Sequence, residues 1–149
     1  MKATRDGYGF TVDAVVAPFG GYLRFRVALP SEYLTRIDVT RELWGDDVRF
    51  EGLSPSAGIV TSQPAIHGDI PDAAGIETFF IGEGFVRVPA DKIANDHIAH
   101  TTWFHPAAGV LVSDAKPDNF VRDDEGNIVP IDVITCVARP DGDLDRILR

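Results

Sequence analysis

Apolar and polar positions alternate with a period of two through most of the first thirty residues. "YGFTVDAVV" (8–16) alternates in part, and "YLRFRVAL" (22–29) sets apolar residues against basic ones, with the turn signal "PFGG" at Pro18 to Gly21 between them. Such alternation puts one face of a strand in a core and the other in water, so the stretch is predicted to be a β-hairpin with one wet face. The period changes after Pro30. In "EYLTRIDVTRELW" Tyr33, Ile37, Thr40 and Trp44 share a helical face, Ser31 offers an N-cap and Gly45 a stop. "DVRFEGLS" and "GIVTSQPAIHG" read as two further short strands, the second broken at Pro64, which cannot donate to a ladder. A connector starts there. Asp72 caps a second helix in "AAGIETFFIGEGF", with Ile76, Phe79 and Phe80 inward and Gly84 near its end. "ADKIANDHIAH" fits a weak helix or an irregular segment. "TTWF" and "VLV" around "HPAAG" predict a hairpin running straight into "SDAKPDN" (113–119), and "NFV" and "IVPIDVI" around "RDDEGN" predict another, with Gly126 free to take positive φ. The tail "ARPDGDLDRILR" has room for a helical turn or two. Segregated strands and helices of this kind point to an α+β fold rather than an alternating parallel sheet.

Composition narrows the function classes. A chain of 149 residues suits one domain, and it contains no internal repeat. Its 44% hydrophobic and 25% charged content is ordinary for a water-soluble protein, and no apolar run approaches the roughly 20 residues of a membrane helix. The start lacks the apolar stretch of a secretory signal and the single Cys136 has no internal partner, so a reducing cytoplasm is the expected compartment. Net charge is −9, from 23 acids against 14 bases. That balance disfavours nucleic acid as the main partner, and an anionic membrane too, because both are bound by neutralising phosphates with basic groups. A phosphate ligand remains open to it if a divalent cation sits between carboxylates and phosphate oxygens.

Four residues carry the candidate chemistry. Asp114, Lys116 and Asn119 lie on one loop, and the hairpin that follows brings Asp132 to the same end as Asn119. A carboxylate and an amide oxygen that converge suit a hard cation such as Mg²⁺. Asp114 is placed to orient or deprotonate an attacking hydroxyl, and Lys116 to offset charge developing on a phosphate. The blander reading of the same residues is a polar loop tied by Asx-type hydrogen bonds. "DDEGN" reads as a solvated turn rather than an EF-hand, whose first ligand position would be Val121. His97, His100 and His105 read as surface or capping histidines, Cys136 as a small buried apolar residue, and Trp44 and Trp103 as core.

"DAKPDN" resembles the protein-kinase catalytic loop, an Asp-x-x-x-x-Asn pattern with Lys two residues after the Asp and Pro after the Lys. "IVPID" resembles the strand leading to the metal-binding Asp of that family, and the spacings from Asp114 to Asn119 and on to Asp132 suit it. The nearest likeness is to the minimal kinase-like domains of phage and mobile-element polyvalent proteins, over about residues 31–134. The resemblance implies a small antiparallel N-lobe sheet with one αC-like helix (about 1–62), a hinge (63–70) and a truncated C-lobe with two β-hairpins (71–149). It implies ATP and Mg²⁺ as cofactors, with adenine received by backbone groups near Gln63 and Ala65. Asp114 would be the base, Lys116 the charge stabiliser, and Asn119 and Asp132 the metal ligands. Glu32 or Glu42 would be the αC acid.

The chain departs from the family at several positions. Val112 and Ser113 stand where His-Arg precedes the catalytic Asp, and Val133 and Ile134 where Phe-Gly follows the metal Asp. The only lysines are Lys2, Lys92 and Lys116, so the lysine that anchors the ATP phosphates from a strand before the helix is missing; Arg24 or Arg26 occupies a suitable strand. The sequence therefore supports an ATP- and Mg²⁺-dependent phosphotransferase with an unknown phosphoryl acceptor, or a pseudokinase-like module that binds a nucleotide or a protein partner. A third reading is a metal-dependent phosphohydrolase using Asp114 and Asp132.

Overall fold

After a two-residue strand β1 (Lys2–Ala3), the alternating stretch pairs antiparallel as β2 (Phe10–Ala17) and β3 (Gly20–Val27), from Phe10 opposite Val27 to Ala17 opposite Gly20. The computed structural model describes residues 2–3, 10–17, 20–55, 58–137 and 147–148, so Pro18 and Phe19 of the expected turn, "GYG" at 7–9 and most of the tail lie outside the described residues. On β3 the wet and dry faces are as the alternation requires: Leu23 and Phe25 are buried, Tyr22 and Arg24 exposed.

Helix α1 (Pro30–Trp44) starts one residue before Ser31, with Leu29 at the N-cap. Pro30 at the first helical position explains the shift, because its fixed φ suits a helix and its missing N–H would have gone unpaired there. The Glu32 carboxylate accepts the Leu29 N–H at 2.7 Å, half of a capping box. Gly45, at φ 67°, ends the helix in the left-handed region, its N–H donating to the Arg41 carbonyl.

Strands β4 (Arg49–Ser54) and β5 (Gly58–Ser62) form a hairpin with β1 on the far side, in the order β1-β5-β4, and β5 stops two residues before Pro64. An extended linker then leads to α2 (Ala73–Gly82), where the Asp72 side chain accepts the Gly75 N–H at 2.7 Å and Ile76 and Phe80 point into the core. Residues 90–92 and 96–98 of the ambiguous stretch form two short 3₁₀ turns.

A four-stranded antiparallel sheet in the order β11-β8-β7-β6 organises the rest: β6 (Val86–Arg87), β7 (Trp103–His105), β8 (Val110–Ser113) and β11 (Ile134–Val137). Between β8 and β11 lies a separate hairpin, β9 (Phe120–Arg122) with β10 (Ile128–Pro130). All of β8 is buried, and its residues divide between two core clusters. Leu111 joins Leu23, Phe25, Val88, Ile93, Ile98, Phe104 and Cys136, whereas Val110 and Val112 join Val39, Ile76, Phe80, Phe85, Trp103 and Phe120. A strand covered on both faces needs no polar alternation, which is why "VLV" reads as a continuous apolar run.

The first half is bound to this sheet and to the segment between β6 and β7. The Ala94 N–H donates to the Leu23 carbonyl at 2.9 Å, and Asn95 Oδ1 accepts the Phe25 N–H at 3.0 Å. Thr40 of α1 and Thr135 of β11 share a hydroxyl hydrogen bond of 2.7 Å. The linker docks on β9 through reciprocal backbone bonds between Asp69 and Arg122, 3.0 and 2.7 Å long. Gly68 permits that approach, since a Cβ there would stand 2.0 Å from the Arg122 carbonyl oxygen. The described residues thus form a mixed α+β protein of small antiparallel sheets with the helices α1 and α2, and among them no helix is long and apolar enough to cross a membrane.

Candidate functional site

The start of the 113–119 loop is anchored on both sides of Asp114. Ser113 closes β8 opposite Ile134, and its hydroxyl, fully buried, hydrogen bonds that of Thr102 at 2.6 Å. One residue past Asp114, the Ala115 N–H donates to the Thr101 carbonyl at 3.0 Å. Asp114 between these anchors is the sole non-glycine residue with positive φ among the described residues, at 55°. Asp tolerates that region better than most side chains, and here the conformation lets Asn119 bind it twice. Asn119 Nδ2 donates to the Asp114 carbonyl at 2.6 Å and to its Oδ2 at 3.0 Å. Lys116 Nζ lies 3.6 Å from the other carboxylate oxygen, Oδ1, with half its side chain in water. Pro117–Asn119 is a 3₁₀ turn, closed by the Asn119 N–H donating to the Lys116 carbonyl.

The stretch "IVPIDVI", expected as one strand, is two. β10 ends at Pro130 and β11 starts at Ile134 in a different sheet, leaving Asp132 in the gap. The break has three causes: Pro130 has no N–H, the Ile131 N–H donates to the Asn119 carbonyl at 2.8 Å, and the Val133 carbonyl accepts from Arg36 Nη2 at 2.5 Å. The Ile131–Asn119 bond seats Asp132 next to the end of the 113–119 loop, and the β8–β11 pairing holds both sides of that junction. Asp132 keeps 58% of its side chain exposed, 3.8 Å from Arg36 Nη2.

The two oxygen donors fit a hard cation on their chemistry. Asn119 commits its amide nitrogen to Asp114, so its Oδ1, with no partner among the described residues, is left as an acceptor, and the Asp132 carboxylate stands largely in solvent. Among the described residues no group of three or more His, Cys, Asp or Glu is gathered as a metal site, so a cation here would complete its shell with water and ligand oxygens.

A cleft lies behind Asp132, lined by Tyr33, Arg36 and Thr40 of α1, by Asp46 and Gln63, and by the 130–133 segment. Gln63 and Asp132 therefore share a cavity, with Gln63 Nε2 donating to Asp46 Oδ1 at 3.0 Å. Ala65 is exposed and lies outside the lining; half-buried Asp114, exposed Lys116 and buried Asn119 do not line it either. The Ala65 N–H and carbonyl make no hydrogen bond with the described residues.

Of the two candidate acids on α1, Glu42 is exposed and Glu32 is paired. Arg26 grips Glu32 with two bonds, Nη1 to Oε2 at 2.9 Å and Nη2 to Oε1 at 2.7 Å, but the pair sits at the strand–helix junction and neither residue lines the cleft. Residues that sequence reasoning missed are Arg36, Thr101, Thr102 and Ser113. Their only signal was a polar residue at the end of an apolar run, or on the inward side of the helix.

The architecture and this loop define an α+β protein with a tied polar loop facing a carboxylate across a strand break. No protein-family model matches the chain, and neither a curated protein nor a solved structure matches it significantly.

Proposed function

We propose that the chain is a kinase-like domain that binds ATP with Mg²⁺ and transfers the terminal phosphoryl group to a hydroxyl acceptor. The observation that supports the reading is the Ile131–Asn119 backbone bond, which joins the end of the loop to the segment carrying Asp132, with Asp114 tied to Asn119. Asn119 and Asp132 would hold Mg²⁺, which when bound supplies charge neutralisation for the phosphates. Asp114 takes the proton of the acceptor hydroxyl as its oxygen bonds the terminal phosphorus, the bond to the bridging oxygen breaks, and the nucleoside diphosphate leaves. Lys116, beside Asp114, offsets charge on the transferring group. The unbonded backbone of Ala65 and the neighbouring Gln63 suit the edge of an adenine ring.

The pseudokinase-like alternative is favoured by a separate observation: Arg26, a strand cation that could stand in for the missing lysine, is committed to Glu32 away from the cleft. Two measurements separate the readings. Calorimetric titration of ATP with and without Mg²⁺ should give binding that Mg²⁺ tightens and that Asp132→Ala weakens at least tenfold when the metal is present; binding by neither protein removes both nucleotide readings. Phosphoryl transfer from labelled ATP, abolished in Asp114→Asn, supports catalysis. Binding without turnover in the full-length gene product assigns the chain to the non-catalytic class.

A further inference from the structure

The kinase-like reading requires a cation that reaches the phosphates from the first half of the chain, and the strand arginines do not supply it: Arg24 is exposed and Arg26 is held by Glu32. A different arginine faces the cleft. Arg36, in the middle of α1, lines it together with Gln63 and Asp132, and only 17% of its side chain is exposed. The Tyr33 ring lies 5.6 Å from the centre of its guanidinium. Nη2 is occupied by the Val133 carbonyl at 2.5 Å and by Asp132 at 3.8 Å. Nε and Nη1, three of the five N–H donors, have no hydrogen-bond partner among the described residues. They are not sealed away either, since neither atom is among the fully buried polar atoms that lack a partner. A guanidinium fixed on one edge and open on the other is preorganised for a planar, bidentate contact with an oxyanion.

We infer that Arg36 is the residue of this chain that receives the nucleotide's phosphate oxygens, taking the place of the missing strand lysine from a helix position. This rests on the nucleotide reading above. The helix placement has a physical logic: the same side chain that meets the phosphates also holds the Val133 carbonyl, so the anion site and the Asp132 segment share one rigid support. Arg36 here is a binding residue, separable by ligand from one that only orients Asp132.

The test is calorimetric titration of ATP and of adenosine into the wild type, Arg36→Gln and Arg36→Lys, each with and without Mg²⁺. Arg36→Gln should weaken ATP about tenfold or more in both metal conditions while adenosine binding changes less than twofold. Arg36→Lys, which keeps a charge but loses the bidentate edge, should fall between, and it decides the matter if Arg36→Gln does not fold. Unchanged ATP affinity overturns the inference. So does an equal loss for ATP and adenosine, which marks a structural role, or a loss confined to the Mg²⁺ titrations, which marks action through Asp132. A wild type that binds neither ligand overturns the nucleotide reading itself, and this inference with it.

Discussion

Asp123 opens the turn between β9 and β10 with a carboxylate that its own turn keeps ionised. The Asn127 side-chain amide donates to it at 3.1 Å, and the backbone N–H groups of Asn127 and Glu125 donate at 2.8 and 3.0 Å. The Asn127 amide first, then those N–H groups, hold its pKa below the usual carboxylate value. These bonds are absent in the unfolded chain, which therefore binds the proton at higher pH. The stabilisation is complete above the ordinary Asp pKa of about 3.9 and is lost as pH falls through the lower folded value. Asp123→Asn should therefore lower the urea midpoint at pH 7 and narrow its deficit as pH falls below about 4; a gap independent of pH would refute the assignment. Asp114 makes similar local bonds but to a partner across a loop rather than a turn. "DDEGN" was legible as a solvated turn because its partners are two to four residues away. The Asn119–Asp114 tie was legible only as one of two readings, because an Asx-type loop and a catalytic-type loop use the same side chains.

At the scale of elements, α2 is fixed by Phe80. Its ring stacks on Trp103 with centroids 4.9 Å apart and planes 9° from parallel, and meets Phe85 and Phe120 edge-on. It is fully buried, so Phe80→Ala should cost about 3–5 kcal/mol in urea unfolding. A cost under about 1 kcal/mol would mean that the cluster collapses around the vacancy. The existence and order of the helices and hairpins follow from local periodicity, and so do the α2 cap at Asp72 and the stop at Gly45. Boundaries that depend on distant partners were not legible. α1 begins early because Pro30 leads it, and "IVPIDVI" splits because Asn119 and Arg36 claim groups on either side of Asp132. Strand β6 is two residues long, too short to leave a periodic signal, and exists because Trp103 and Phe104 offer it an edge.

Across the whole molecule, both core clusters draw on both sides of the 63–70 linker. Leu23 and Phe25 of β3 pack with Val88, Ile93, Phe104 and Leu111, and α1 is latched to β11 through Thr40 and Thr135. A fragment of residues 1–68 should therefore show no cooperative unfolding transition by circular dichroism, while the intact chain shows one; a cooperative melt of the fragment would establish an independent first half. What the sequence by itself determined is the two main helices, the longer strands, their α+β class and the loop that carries Asp114, Lys116 and Asn119, because periodicity, caps and turn residues act over a few positions. Only the tertiary structure decided which groups meet: Asn119 with Ile131, Glu32 with Arg26 rather than Glu42, and Arg36 with the Asp132 segment. The Arg36 pairing spans 97 residues of chain and is set by how α1 docks on β11, which no local pattern encodes.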